Sequence, residues 1–153
     1  MPSTTSTSDL SAHVGYWLRY VSNHVSQAFA RKVAAHGVTV AEWVLMRQLL
    51  DEEALAPSVL ADRMGMTRGA ISKLADRLIS KSMVVRNADP KDGRAQTLAL
   101  TSAGRALVPK LAALADANDA EFFDHLTSKD RAALFRILQE TVELRGLRSA
   151  PID

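Results

Sequence analysis

The sequence predicts a mainly α-helical fold with one small β-hairpin, on three observations. Apolar residues return at three- and four-residue steps over most of the 153 positions, the spacing that gathers them on one helix face. Two such segments, one through Val59, Leu60 and Met64 and the other through Ile71, Leu74, Leu78 and Ile79, meet at Gly65, the pattern of a helix-turn-helix. Directly behind them, Met83 to Arg86 and Thr97 to Leu100 read as short strands around the turn formers Asp89, Pro90, Lys91, Asp92 and Gly93. A hydrophobic content of 47% with 24% charged residues supplies a core and argues against both a disordered and a membrane protein, so one soluble folding unit is expected.

Taken in order, Met1 to Ser8 are mostly Ser and Thr and are expected to form a disordered tail. They lack the basic start and apolar run of a secretory signal, and no 18-residue apolar span follows, so the protein is expected to be cytoplasmic, with no membrane partner. From residue 9 to 36, Leu10, Val14, Trp17, Val21, Val25 and Phe29 mark one long amphipathic helix, stopped by Gly37. Thr39 can cap a second helix through Trp43, Leu45, Met46, Leu49 and Leu50. Pro57 suits the first turn of a third, which Gly65 ends in the left-handed region, and Thr67 caps a fourth. After the hairpin, Thr101 opens a long helix that Pro109 should bend or start late, and Thr127 with Asp130 resembles a capping box for a last helix through Leu134, Ile137, Leu138 and Val142.

The net charge of +2 hides an uneven distribution. Between Pro57 and Arg105 there are nine basic and four acidic side chains, against ten basic and thirteen acidic elsewhere. A basic helix-turn-helix with a basic hairpin tip is the electrostatic footprint expected for double-stranded DNA, whose phosphates dominate affinity. Small Gly69 and Ala70 at the start of the fourth helix permit close approach, and Arg68, Ser72 and Lys73 can reach base edges or phosphates. Arg77, one turn on, faces phosphate or the protein itself. At the hairpin tip Lys91 adds charge, Arg94 can enter a minor groove, and Asp92 is expected to pair with Arg94 and hold its shape.

Three segments resemble the multiple-antibiotic-resistance regulator (MarR) family of winged helix-turn-helix transcription factors. Leu60 to Leu78 is similar to the family's helix-turn-helix, with Thr67, Ser72, Lys73 and Arg77 in place. Asp92, Arg94, Leu100 and Thr101 fit its wing signature, and Leu126 to Leu138 is similar to the entry of its last helix. Two departures stand out: Ser82 and Met83 replace a Gly-aliphatic pair after the recognition helix, at a cost of about 1 kcal/mol if Ser82 is left-handed, and Pro109 interrupts a usually continuous helix.

The resemblance implies a DNA-binding lobe over residues 38–101 and dimerisation helices over 9–36 and 102–147. It implies a homodimer on an inverted-repeat operator, a repressor, released by a small aromatic or phenolic acid. For that effector, His13, Trp17, Tyr20 and His24 on the first helix and Trp43, Met46 and Arg47 on the second offer an apolar cleft with a cation, if the two faces meet. The alternative to a regulator is an architectural protein that binds DNA without sequence preference. No catalytic motif points to an enzyme, and no cofactor is expected. Cysteine is absent, which excludes thiol chemistry, and His13 and His24 lie roughly 16 Å apart along a helix, too far for one metal ion.

Overall fold

A computed structural model describes residues 6–148 and 151. Six α-helices and a two-stranded antiparallel hairpin follow in the order α1 Val14–Ala34, α2 Val40–Leu50, α3 Pro57–Met64, α4 Arg68–Ser80, β1 Val84–Ala88, β2 Gln96–Leu100, α5 Ser102–Phe123 and α6 Ser128–Arg145. The expected disordered tail falls largely on residues 1–5, outside the described residues.

Local sequence sets most boundaries. The Thr39 hydroxyl accepts from the Glu42 N–H while the Glu42 carboxylate accepts from the Thr39 N–H, a full capping box. At α6 the expected box is half formed: Thr127 accepts from the Asp130 N–H, with no return bond to the Asp130 carboxylate. Gly65 ends α3 at φ 63°, and Thr67 caps α4. The first helix begins later than periodicity suggests, because His13 is extended and a separate 3-10 turn occupies Leu10–Ala12. Pro109 does not delay α5, which starts at Ser102; Thr101 caps it by accepting from the Gly104 N–H.

The departure at Ser82 is accommodated rather than avoided. Ser82 takes φ 62°, and the Met83 and Ser82 N–H groups return to the Leu78 and Ile79 carbonyls, which closes α4 as glycine would. The strained residue is then fastened from outside, since the Thr101 hydroxyl donates to the Ser82 carbonyl. Gly104 is required at the same junction: a Cβ there would collide with the Met83 carbonyl oxygen.

Leu45, Met46 and Leu49 of α2, Leu60 and Met64 of α3, Ile71 and Leu78 of α4, Leu98 of β2 and Leu111 of α5 are fully enclosed. At about 1.5–3 kcal/mol per large side chain, this cluster is the main stabilising feature of the lobe. Leu55 adds a short third partner to the hairpin by exchanging two backbone hydrogen bonds with Leu98. The arms differ: α6 buries no residue, and the amino-terminal half of the predicted α1 stripe, Leu10, Val14, Trp17 and Val21, is exposed.

Candidate nucleic-acid interface

On α4 the buried and exposed faces separate cleanly. Ile71, Leu74, Ala75 and Leu78 point inward, which leaves Arg68, Gly69, Ser72, Lys73, Asp76 and Arg77 exposed together. Thr67, also exposed, commits its hydroxyl to capping the helix through the Ala70 N–H at 3.1 Å. At Gly69 an added Cβ would meet only the Thr67 hydroxyl at 3.9 Å, so intrachain packing does not demand glycine there. The small residue keeps the outward surface low beside Arg68 and Ser72.

The hairpin tip is built by its aspartates. Asp89 accepts from the Lys91 N–H at 2.8 Å, and Asp92 accepts from the Arg94 N–H at 3.0 Å, two side-chain-closed turns that aim Lys91 and Arg94 outward. This corrects the expected role of Asp92. It holds the Arg94 backbone rather than its guanidinium, because the two-residue separation brings the amide, not the long side chain, over the carboxylate. The Arg94 guanidinium has no ion-pair partner among the described residues.

Of the nine basic side chains between Pro57 and Arg105, three are neutralised by ion pairs: Arg63 with Glu52, Lys81 with Glu42, and Arg86 with Asp76. Arg105 donates to the Leu50 carbonyl. The other five, Arg68, Lys73, Arg77, Lys91 and Arg94, are exposed and have no ion-pair partner among the described residues. They are the cations expected to face phosphate. The Asp76–Arg86 pair, 3.0 Å long, ties the exposed face of α4 to β1 and has no local sequence signal, since its members lie on different elements.

Behind α4 lies one deeply buried charge. Glu42 is 0% exposed, and the Lys81 ammonium, at the carboxyl end of α4, donates to both its oxygens at 2.9 and 2.8 Å and to the Gly37 carbonyl at 2.8 Å. Burial pushes the Glu42 carboxyl up, but the Lys81 and Thr39 hydrogen bonds and the Lys81 charge outweigh it and leave the group below its ordinary value. Periodicity places Glu42 at the start of α2 and says nothing of Lys81, 39 residues on.

The residues expected to bind an effector do not converge within the chain. Trp17 meets Tyr16 edge-on and Tyr20 is tilted against both on exposed α1, and the Trp17 indole donates to the Ser11 carbonyl. His13 is an exposed cap, Met46 is enclosed in the core, and Arg47 pairs with Asp51 one turn along α2. Trp43 instead packs edge-on against Phe29, 6.5 Å between centroids. These two aromatic rings line a cavity of about 320 Å³ between α1, α2 and α5, with Val25, Val40, Asn118 and Asp119 among its walls. Phe29 and Asn118 carry helical spacing but no signal that would single them out as a site.

A capped helix-turn-helix with a cation-tipped hairpin, carried between two long helices, defines a winged helix-turn-helix protein. Residues 36–95 match the sequence model of the MarR family. An HTH-type transcriptional repressor of Mycobacterium tuberculosis is 28% identical over 129 residues, which cover 84% of this chain and 93% of that protein. CouR of Rhodococcus jostii RHA1, solved bound to p-coumaroyl-CoA, superposes with a TM-score of 0.76 at 26% identity, over 88% of this chain and 95% of that one. BpsR of Bordetella bronchiseptica, whose DNA binding is regulated by 6-hydroxynicotinic acid, superposes at 0.77 with 23% identity, over 89% and 97%. Over residues 36–95, and in its fold, the chain is similar to the MarR family of transcriptional regulators.

Proposed function

We propose that this regulator binds an inverted repeat in double-stranded DNA as a homodimer and represses transcription until a small aromatic ligand releases it. The observation that carries the DNA reading is the set of five exposed cations without ion-pair partners, distributed over the outer face of α4 and the hairpin tip. Paired cations would have to break a bond before meeting phosphate; these need not. Arg68 and Lys73, beside the low surface at Gly69, enter the major groove, and Arg94 the minor groove. The exposed apolar residues of α1 and α6, Val14, Trp17, Phe135, Ile137 and Leu138 among them, support pairing with a second copy. A two-fold dimer sets half-sites about 10 bp apart. Repression follows the Mycobacterium tuberculosis relative, and the aromatic ligand follows the α1–α2–α5 cavity together with the aromatic thioester bound by CouR.

Titration of the purified protein against a repeat chosen by in vitro selection, with random duplex as competitor, tests this reading. The repeat is preferred by at least about 10³. Equal affinity for both duplexes means an architectural protein instead. With about ten phosphates neutralised, the log–log salt slope is near −9, and a slope near zero removes DNA binding altogether.

A further inference from the structure

The α1–α2–α5 cavity carries a chemical preference that its position alone does not give. Its walls are apolar and aromatic: Val25, Phe29, Val40, Trp43, Val44, Ala115 and Pro151. Its volume of about 320 Å³ sits at the lower end for small-molecule pockets, enough for one substituted ring. Three polar side chains reach it, Ser26, Asn118 and Asp119, and no Lys, Arg or His is among its described lining residues.

Asn118 is the organised polar group. It is 3% exposed; its Nδ2 donates to the Val25 carbonyl at 3.1 Å, and its Oδ1 accepts from Lys32 Nζ at 2.9 Å. Those bonds fix the amide plane and leave one N–H and one carbonyl lone pair unused. The Lys32 charge is already matched by the Glu121 carboxylate at 2.7 Å, and Arg47 is held by Asp51. The single charge on the lining is negative, Asp119 at the exposed rim. An ionised carboxylate entering here would lose its water, find no free cation among the described lining residues, and approach Asp119. A phenol, amide or ester would meet the Asn118 amide, which both donates and accepts, at no charge cost.

We infer that this cavity selects a neutral aromatic ligand through Asn118 and discriminates against free aromatic carboxylates. The inference rests on the proposal that the cavity holds an aromatic effector. It replaces the aromatic acid of the sequence-based expectation, whose carboxylate partner was to be Arg47, with an uncharged phenol, ester or amide.

Calorimetric titration of the full chain near neutral pH with methyl 4-hydroxybenzoate, 4-hydroxybenzamide and 4-hydroxybenzoate tests it. The neutral probes bind at least about tenfold more tightly than the carboxylate. Asp119→Lys, an exposed change that leaves the fold intact, narrows the gap by about tenfold by supplying the missing cation. Equal or tighter binding of 4-hydroxybenzoate to the unaltered protein, or an Asp119→Lys variant with an unchanged ratio, overturns the selectivity while the cavity remains an aromatic site. Absence of heat and of thermal shift with all three probes at millimolar concentration overturns the effector reading itself, and leaves DNA binding to its own test.

Discussion

Replacing Lys81 with methionine should destabilise the protein in a pH-dependent way that the geometry fixes in advance. Methionine keeps the length and apolar stem of the side chain and removes three hydrogen bonds, two to Glu42 and one to the Gly37 carbonyl. For unit charges about 4 Å apart, an effective dielectric near 20 gives about 4 kcal/mol of gross attraction. Breaking a fully buried pair by removing one partner costs about 3–5 kcal/mol. Lys81 retains 37% of its side-chain exposure, so water can partly solvate the vacated site, and the expected loss is lower, about 2–3 kcal/mol at pH 7. In the unaltered protein the folded-state pKa of Glu42 is lowered, so its contribution is present above the unfolded pKa and disappears as pH falls through the folded value. Without Lys81, burial acts against only the Thr39 bonds and the folded pKa rises, so the variant gains relative stability on acidification. Urea unfolding of both proteins from pH 7 to pH 4 should show the difference narrow toward the acid end without vanishing, because the bond to the Gly37 carbonyl is lost at every pH. A loss below about 0.5 kcal/mol at pH 7, or one independent of pH, would refute the claim that Glu42 is a buried anion balanced by Lys81.

Other consequences are open to the same kind of measurement. Arg94→Ala should weaken operator binding by about 1–3 kcal/mol in a titration at fixed salt while leaving the unfolding midpoint unchanged. Ser82→Gly should stabilise the fold by about 1 kcal/mol, because the left-handed residue loses its Cβ and keeps the carbonyl that Thr101 binds; a decrease in denaturation midpoint would contradict this. Gly104→Ala should cost at least about 2 kcal/mol, as α5 must move away from the Met83 carbonyl, and an unaltered thermal midpoint would show that the junction is looser than described. Sedimentation across a range of concentrations should find a two-chain species, and Ile137→Glu on the uncovered face of α6 should shift it toward single chains.

The sequence was most readable where structure is local. Gly65, Thr67 and Thr101 state their own roles, because a left-handed glycine and a capping hydroxyl act within four residues of themselves. The exposed cations of α4 followed from helical periodicity, which sorts Arg68 and Lys73 from Ile71 and Leu74 without any tertiary information. What stayed hidden depends on partners distant along the chain. Glu42 and Lys81, Asp76 and Arg86, and Leu55 and Leu98 meet through the fold, and nothing in their own neighbourhoods names the other member. The expected effector residues lie apart within the chain for a related reason: equal spacing put Trp17 and Phe29 on one stripe of α1, but α5 and α2 cover only the carboxyl-terminal half of that helix, so Trp43 packs on Phe29. Asp92 shows the limit of charge-based reading, since its nearest donor was the Arg94 backbone.

The fastening of Ser82 and Met83 to Thr101 bears on how the hairpin can vary among related regulators. The Thr101 N–H donates to the Met83 carbonyl at 3.0 Å and its hydroxyl to the Ser82 carbonyl at 2.7 Å, so both ends of the segment between are clamped together at one root. Such a segment is a module. Lengthening its tip by several residues adds only a slowly growing closure cost, about 0.6 kcal/mol per doubling, and leaves the end of α4 and the start of α5 where they were. The hairpin tip can thus be exchanged between relatives by grafting the stretch inside the clamp, while α4 and the long helices keep their register.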